Sequence, residues 1–201
     1  LRHPEAKITA LTSRQPGEPH VAAIHPALVG RLDLRLRDLN PEHVAAECDC
    51  VFSCLPHGAS AQAVKPLVEA GVRVVDFSAD YRLNDLAVYR AWYEDTHCDA
   101  ERLGKVPYGL PELFADQLAG ATLVANPGCY PTSAILGMAP LLKSGLVEPA
   151  GIIFDSKSGV SGAGRTPKLT THFPECNESF AAYNVGKHRH NPEIDQVLGT
   201  V

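Results

Sequence analysis

Cys50-Val51-Phe52-Ser53-Cys54-Leu55, then Gly58 to Ala70, then Val72-Arg73-Val74-Val75-Asp76 place two apolar runs on either side of a helical one. The spacing predicts a strand over 50–55, a helix over 58–70 and a strand over 72–76. Such alternation implies a parallel sheet wound with helices, an α/β fold. Upstream, the pattern predicts a strand over 7–12, a loop rich in Pro and Gly, a strand over 32–36 and a helix over 41–46. The opening Leu1-Arg2-His3-Pro4 reads as the tail of a helix. Downstream, 81–104 is mixed, with a helical aromatic patch over 88–93, and a strand over 121–125 closes a first domain expected at 1–128. A helix over 132–144 and strands over 150–157 and around 180–188 predict that 129–201 begins an α+β domain on a mixed or antiparallel sheet. The last stretch, 196–201, reads as the start of another apolar strand.

The chemistry concentrates where the 121–125 strand stops, in Asn126-Pro127-Gly128-Cys129-Tyr130-Pro131-Thr132. Pro127-Gly128 breaks the strand, and Thr132 or Ser133 is the expected N-cap of the helix that follows. A helix start favours the anionic form of a thiol placed there, which makes Cys129 a candidate nucleophile. A base is offered by Lys187-His188-Arg189-His190, whose two histidines would share one side of a strand. Between them, Ser156 to Lys168 interleaves glycines with hydroxyls and cations, the composition of a loop that takes a phosphate or carboxylate.

The formal charge of −5 with both signs interspersed argues against a nucleic-acid binder. Hydrophobic residues make up 45%, ample for a core, yet no apolar run approaches the roughly 18 residues of a membrane span. Six cysteines raise the question of metal or disulfides, most of all Cys48-Asp49-Cys50 with Cys54. Their spacing lacks paired C-x-x-C units, and 50–55 reads as a buried strand, so no metal is expected and the cysteines fit a reduced, cytoplasmic protein. Cys98 and Cys176 read as structural or incidental.

The sequence resembles the N-acetyl-gamma-glutamyl-phosphate reductases, relatives of aspartate-semialdehyde dehydrogenase. The most specific pieces are 126–132, Ser158-Gly159-Val160-Ser161-Gly162-Ala163-Gly164-Arg165, and His188-Arg189-His190 ahead of Pro192-Glu193-Ile194. Ala10 to Arg14, Leu55 to Gly58, Asp76 to Arg82 and Val106 to Glu112 support it in the same order. The family's first strand and Gly-rich turn are absent, as is a C-terminal part, so an internal segment of a longer enzyme is expected. The resemblance implies a Rossmann-type doubly wound domain at 1–128, the start of a catalytic domain at 129–201, and a homo-oligomer.

It also implies NADPH-dependent reduction of N-acetyl-gamma-glutamyl phosphate to the semialdehyde through a Cys129 thioester, with His188 as acid/base. Asn126, Ser161, Arg165, Lys168 and His190 are the substrate candidates. For the cofactor, ligands of a doubly wound sheet gather at the carboxyl ends of strands. Thr12, Ser13 and Arg14 end the first strand, where hydroxyls and a cation suit the 2′-phosphate of NADP better than NAD. Pro56 and His57 follow the next such end, and Ser158, Gly159 and Gly162 complete the cofactor set. Three further readings stay open: an enzyme acting on aspartyl phosphate, a non-catalytic fragment that binds ligand or a partner chain, and a cysteine hydrolase. Glu175 and Tyr183 read more simply as a loop carboxylate and a core aromatic.

Overall fold

The computed structural model describes residues 2–93 and 96–201. It divides into two compact units, Leu1–Pro127 and Gly128–Val201. In the first, β1 (Leu11–Thr12), α1 (Val21–Ile24) and β2 (Leu36–Arg37) precede α2 (Pro41–Glu47), β3 (Cys50–Ser53), α3 (Ala59–Glu69) and β4 (Arg73–Asp76). Then come α4 (Leu86–Tyr93), α5 (Pro111–Leu118) and β5 (Leu123–Ala125). Every named strand pair is parallel: β1 with β2, and β3-β4-β5 in that order.

Local signals explain the elements. Asn40 caps α2, its side chain accepting from the His43 N–H at 3.0 Å, and Pro41 enters at the helix start where its missing N–H costs nothing. In α3, Ser60, Ala61, Val64 and Leu67 turn one face inward. That face meets Val44, Val72, Val74, Leu123 and Ala125 in a core that also takes Tyr81. Since β3, β4 and β5 are in register from Ser53 to Asp76 to Ala125, their carboxyl ends lie along one edge.

A buried polar network ties that edge together. The Asp76 carboxylate accepts from the Ser60 hydroxyl (2.6 Å), the Ser78 N–H (3.1 Å) and the Ser78 hydroxyl (2.6 Å), while Ser60 also meets Ser53 at 2.7 Å. Burial outweighs those donors and pushes the Asp76 carboxyl up. Asp80 accepts from the N–H groups of Gly58 (2.8 Å) and Ala61 (2.9 Å) and from the Tyr89 hydroxyl (3.0 Å). It thereby caps α3 from a distant loop, at a Gly58 whose φ of +75° excludes most side chains. Arg82, buried, donates to the Asn126 carbonyl (2.7 Å) and the Phe77 carbonyl (2.8 Å), clamping the end of β5.

Several expected elements differ. Strands over 7–12 and 32–36 shorten to two residues each, Leu11–Thr12 pairing with Leu36–Arg37, and just before β2 the chain meets the 19–20 segment instead, through an antiparallel His20–Arg35 bridge and the Leu36 N–H on the Pro19 carbonyl at 2.9 Å. Residues 2–10 carry a turn at Pro4–Glu5 and no helix, and Leu1 lies outside the described residues. The strand over 50–55 is not buried: Cys50, Phe52 and Cys54 are exposed, since β3 borders its sheet and only one face is covered.

The second unit holds α6 (Cys129–Lys143), α7 (Phe173–Cys176) and α8 (Asn191–Leu198). No strand occurs there among the described residues, so the strands expected over 150–157 and 180–188 do not form. A strand needs a partner ladder, and these stretches have none; Ile153 is 88% and Phe180 76% exposed. The 196–201 stretch completes α8 and a turn instead of starting a strand, because Pro192 opens a helix whose Ile194 and Val197 bury one face.

Candidate active site

Helix α6 starts three residues earlier than expected, with Gly128 as N-cap and Cys129 as first helical residue. Pro131 is tolerated because the N–H groups of a first turn have no intrahelical partner. Thr132 and Ser133 are therefore inside the helix, and their hydroxyls donate back to the carbonyls of Gly128 (2.8 Å) and Tyr130 (3.0 Å). Cys129 is exposed and its thiol free. The backbone N–H groups of Cys129 and Tyr130, at the positive end of a fifteen-residue helix, bond to nothing among the described residues.

The Gly128 N–H is held by Glu193, whose Oε1 accepts it at 2.9 Å. Glu193 is 1% exposed, a buried carboxylate that α8 brings to the start of α6. The reading of the sequence missed it, since a glutamate after a proline looks like an ordinary helix-start residue.

His188 and His190 lie on a turn, not a strand. The His188 carbonyl accepts from the Asn191 N–H at 2.9 Å as the chain enters α8. The turn still brings both rings to one side, 4.7 Å apart. Both stand edge-on to Tyr130, at 5.2 Å for His188 and 5.9 Å for His190. Tyr183 closes the group: its hydroxyl meets that of Tyr130 at 2.7 Å and its ring lies 5.6 Å from His188. It is 56% exposed and not a core aromatic. Burial first, then the hydrogen bond to Tyr130 and the charges of Tyr130 and Cys129, push the Tyr183 phenol up to about 12. Burial pulls His188 below the usual imidazole range. The His190 ring leaves room only for glycine at 128, because a Cβ there would sit 2.5 Å from His190 Nε2.

The other candidates are placed as follows. Ser158, Gly159, Ser161 and Gly162 form a short 3₁₀ turn over Val160–Ala163, the Gly162 N–H donating to the Gly159 carbonyl at 3.0 Å. With Arg165 and Lys168 they are exposed, and no described hydrogen bond, ion pair or ring contact joins them to Cys129 and the histidines. In the first unit, Thr12, Ser13 and Arg14 sit at the carboxyl end of β1, with Ser13 bonded through its N–H to the Arg37 carbonyl at 2.9 Å. Arg14 is exposed and makes no hydrogen bond or ion pair among the described residues, so a cation stands open beside two hydroxyls. Pro56 and His57 follow β3, and His57 Nδ1 accepts from the Ala79 N–H at 3.1 Å. Asn126 follows β5, its N–H on the Asp76 carbonyl at 2.9 Å.

Residues 1–121 match the model of the semialdehyde dehydrogenase NAD binding domain. The chain belongs to the semialdehyde dehydrogenase family. The parallel α/β architecture of the first unit is that domain's Rossmann-type fold. Residues 129–201 match the semialdehyde dehydrogenase dimerisation domain. Among the relatives of this chain is an N-acetyl-gamma-glutamyl-phosphate reductase of Rhodopirellula baltica, 56% identical over 198 residues, which are 98% of this chain and 57% of that protein. Reductases of the same name from Geotalea daltonii (53% identical; 98% and 57% covered) and Desulforudis audaxviator (48%; 98% and 57%) are similar. The chain spans about 57% of the length of these curated relatives. Among the described residues no helix is long and apolar enough to cross a membrane.

Proposed function

We propose that this chain carries the nucleophile of an NADPH-dependent N-acetyl-gamma-glutamyl-phosphate reductase, an arginine-biosynthetic enzyme of the cytoplasm acting as a homo-oligomer. The observation that carries the reading is Cys129 at the first position of α6, with two open N–H groups at that helix start and the His188–His190–Tyr183 group gathered on the next residue, Tyr130. The names of the similar reductases supply the substrate.

In this reading residues 1–128 bind the cofactor and 129–201 open the catalytic part. The Cys129 thiolate attacks the acyl carbon, the C–O bond to phosphate breaks, and a thioester remains on Sγ. The nicotinamide cofactor supplies the hydride. Hydride addition to the thioester carbon leaves a tetrahedral oxyanion on the former carbonyl oxygen, which the N–H groups of Cys129 and Tyr130 hold, and its collapse breaks the C–S bond to release aldehyde and regenerate thiolate. His188 is the acid/base group and His190 its neighbour in contact with the Gly128 turn. Asn126, Ser161, Arg165 and Lys168 are assigned to the substrate's phosphate and carboxylate, and Ser158, Gly159 and Gly162 to the cofactor.

Thr12, Ser13 and the open Arg14 fit a 2′-phosphate, and with Pro56 and His57 they make up the cofactor contacts of the sheet edge. The N-terminus of α3 offers no phosphate site, because Asp80 already occupies it. The test is NADP⁺ reduction by the full-length protein with N-acetylglutamate semialdehyde and phosphate. Activity that Cys129→Ser abolishes is expected; activity indifferent to Cys129, or seen only with aspartate semialdehyde, overturns the assignment.

A further inference from the structure

Where α3 ends and β5 begins, at the amino ends of the strands, the first unit holds a cavity of about 480 Å³, a volume in the range that takes a small organic ligand. None of the residues assigned above to cofactor or substrate lines it. Val68, Val106, Pro107 and Leu123 give it an apolar wall. Two cations, Arg102 and Lys105, also line it, and among the described residues no carboxylate does, although Asp and Glu outnumber Lys and Arg by 23 to 18 in the chain. The two cations are held differently. Arg102 gives Nη1 to both oxygens of Asp99, at 2.8 and 2.7 Å, and Asp99 is 4% exposed and accepts from the Tyr81 hydroxyl at 2.9 Å. The guanidinium is thereby fixed, while its Nη2 and Nε bond to nothing among the described residues. Lys105 is exposed, its N–H on the Arg102 carbonyl at 3.0 Å, and its ammonium has no hydrogen-bond or ion-pair partner among the described residues. The Gln117 amide and the Thr122 hydroxyl add neutral donors to the lining.

The balance of charge selects the ligand. Arg102 and Asp99 cancel one another, the charge of Glu69 also reaches the guanidinium, and Lys105 alone stands uncompensated. One net positive charge beside an open guanidinium edge suits a single negative charge with planar oxygens. A second negative charge would lose its water against the apolar wall and find no partner. We propose that this cavity binds a small monocarboxylate with an apolar body, its oxygens shared by Lys105 Nζ and the open edge of Arg102 and its body laid on Val68, Val106 and Leu123. A doubly wound sheet gathers its cofactor at the carboxyl ends of its strands, so a ligand at the amino ends occupies a second, separate site. The inference is independent of the thioester chemistry, since Cys129 takes no part in it.

The test is a fluorine NMR titration of the full-length protein, saturated with NADP⁺ to fill the cofactor edge, with trifluoromethylbenzoate as the probe. Saturable binding with a Kd of about 1 mM is expected, the value that a ligand of this size reaches at ordinary ligand efficiency. Lys105→Gln should weaken it about tenfold, as when one charge-assisted contact is lost. Ala119→Trp, which puts an indole on the lining, should abolish saturation, and Lys7→Gln, an exposed cation of the same unit away from the cavity, should change nothing. The neutral trifluoromethylbenzamide should bind about tenfold more weakly than the benzoate, and the dianionic trifluoromethylphenyl phosphate no more tightly. Absence of saturable binding up to about 10 mM, or a Kd indifferent to Lys105→Gln, would overturn the proposal. A phosphate ester that binds more tightly than the carboxylate would overturn it as well, because the charge balance then does not choose a monoanion. Lys105 is exposed and bonds only through its backbone, so its variant decides the matter even where Ala119→Trp fails to fold.

Discussion

Gly128→Ala probes the site with one methyl group. The backbone at 128 has φ −66° and ψ 158°, which alanine adopts freely, so any effect comes from contact and not from strain. The added Cβ would lie 2.5 Å from His190 Nε2, 2.8 Å from Cε1 and 2.9 Å from Cδ2. Non-bonded heavy atoms settle at about 3.5–4.0 Å, so the ring has to retreat by roughly 1 Å. A displacement of about that size in a positioned catalytic group costs on the order of 10²-fold in rate. The assay is kcat/KM for reduction of N-acetyl-gamma-glutamyl phosphate in native protein, Gly128→Ala, His190→Ala and the double variant. The contact predicts strong non-additivity: with the ring removed, the three nearest atoms to the methyl group are gone and its cost should shrink to within about threefold. An equal cost in both backgrounds, or a Gly128→Ala enzyme with native kcat/KM, refutes the steric reasoning.

Glu193→Ala should leave the Gly128 N–H without its buried acceptor and lower stability by about 2–3 kcal/mol, read as a lower denaturant midpoint, while Glu193→Gln keeps an oxygen there and loses less; equal midpoints for native and Ala proteins contradict the assignment. Asp80→Ala strips the cap from α3 and leaves the Gly58 and Ala61 N–H groups without this acceptor, for a loss of about 3 kcal/mol and a fall in apparent Tm of roughly 10 °C; a fall under about 2 °C would show that α3 does not depend on this cap. Burial holds the folded His188 below its unfolded value of about 6.5, so its contribution is complete above that pH and is lost as the pH falls through the folded value. Urea midpoints between about pH 7.5 and 5 should therefore drop more in native protein than in His188→Asn, and parallel drops would contradict it.

The central β3-α3-β4 unit was legible because each of its signals is local: apolar runs of strand length, a glycine before the helix, and one face of small and branched side chains. Helix α5 was not anticipated, although Pro111 at its start and Glu112 in its first turn are ordinary helix-start signals. Strand lengths failed where they depend on neighbours, which periodicity does not reveal: β1 and β2 stop at two residues, and the apolar 150–157 and 180–188 runs find no ladder. At the site, Cys129 and the two histidines were visible as residue types in a telling order, but their supports were not. Asp80 and Arg82 look like surface charges in sequence, yet both are buried and bonded to backbone far along the chain. Glu193 reaches Gly128 across 65 positions, a contact that only the packing of α8 against α6 creates. The cap of α6 was misplaced for a related reason, because the N-cap there is a glycine fastened by that distant carboxylate and not a hydroxyl side chain.

The thioester on Cys129 is the claim on which the rest depends, and it is directly observable. Full-length protein incubated with N-acetylglutamate semialdehyde and NADP⁺, with phosphate withheld, should accumulate the acyl group, because the aldehyde adds to the thiolate and loses hydride while nothing is present to release the product rapidly. Peptide mapping by mass spectrometry is expected to find the N-acetylglutamyl adduct on the peptide containing Cys129, labile to hydroxylamine and discharged by added phosphate. NADPH formed with no acyl group on Cys129, or an adduct carried by another residue, would contradict the account.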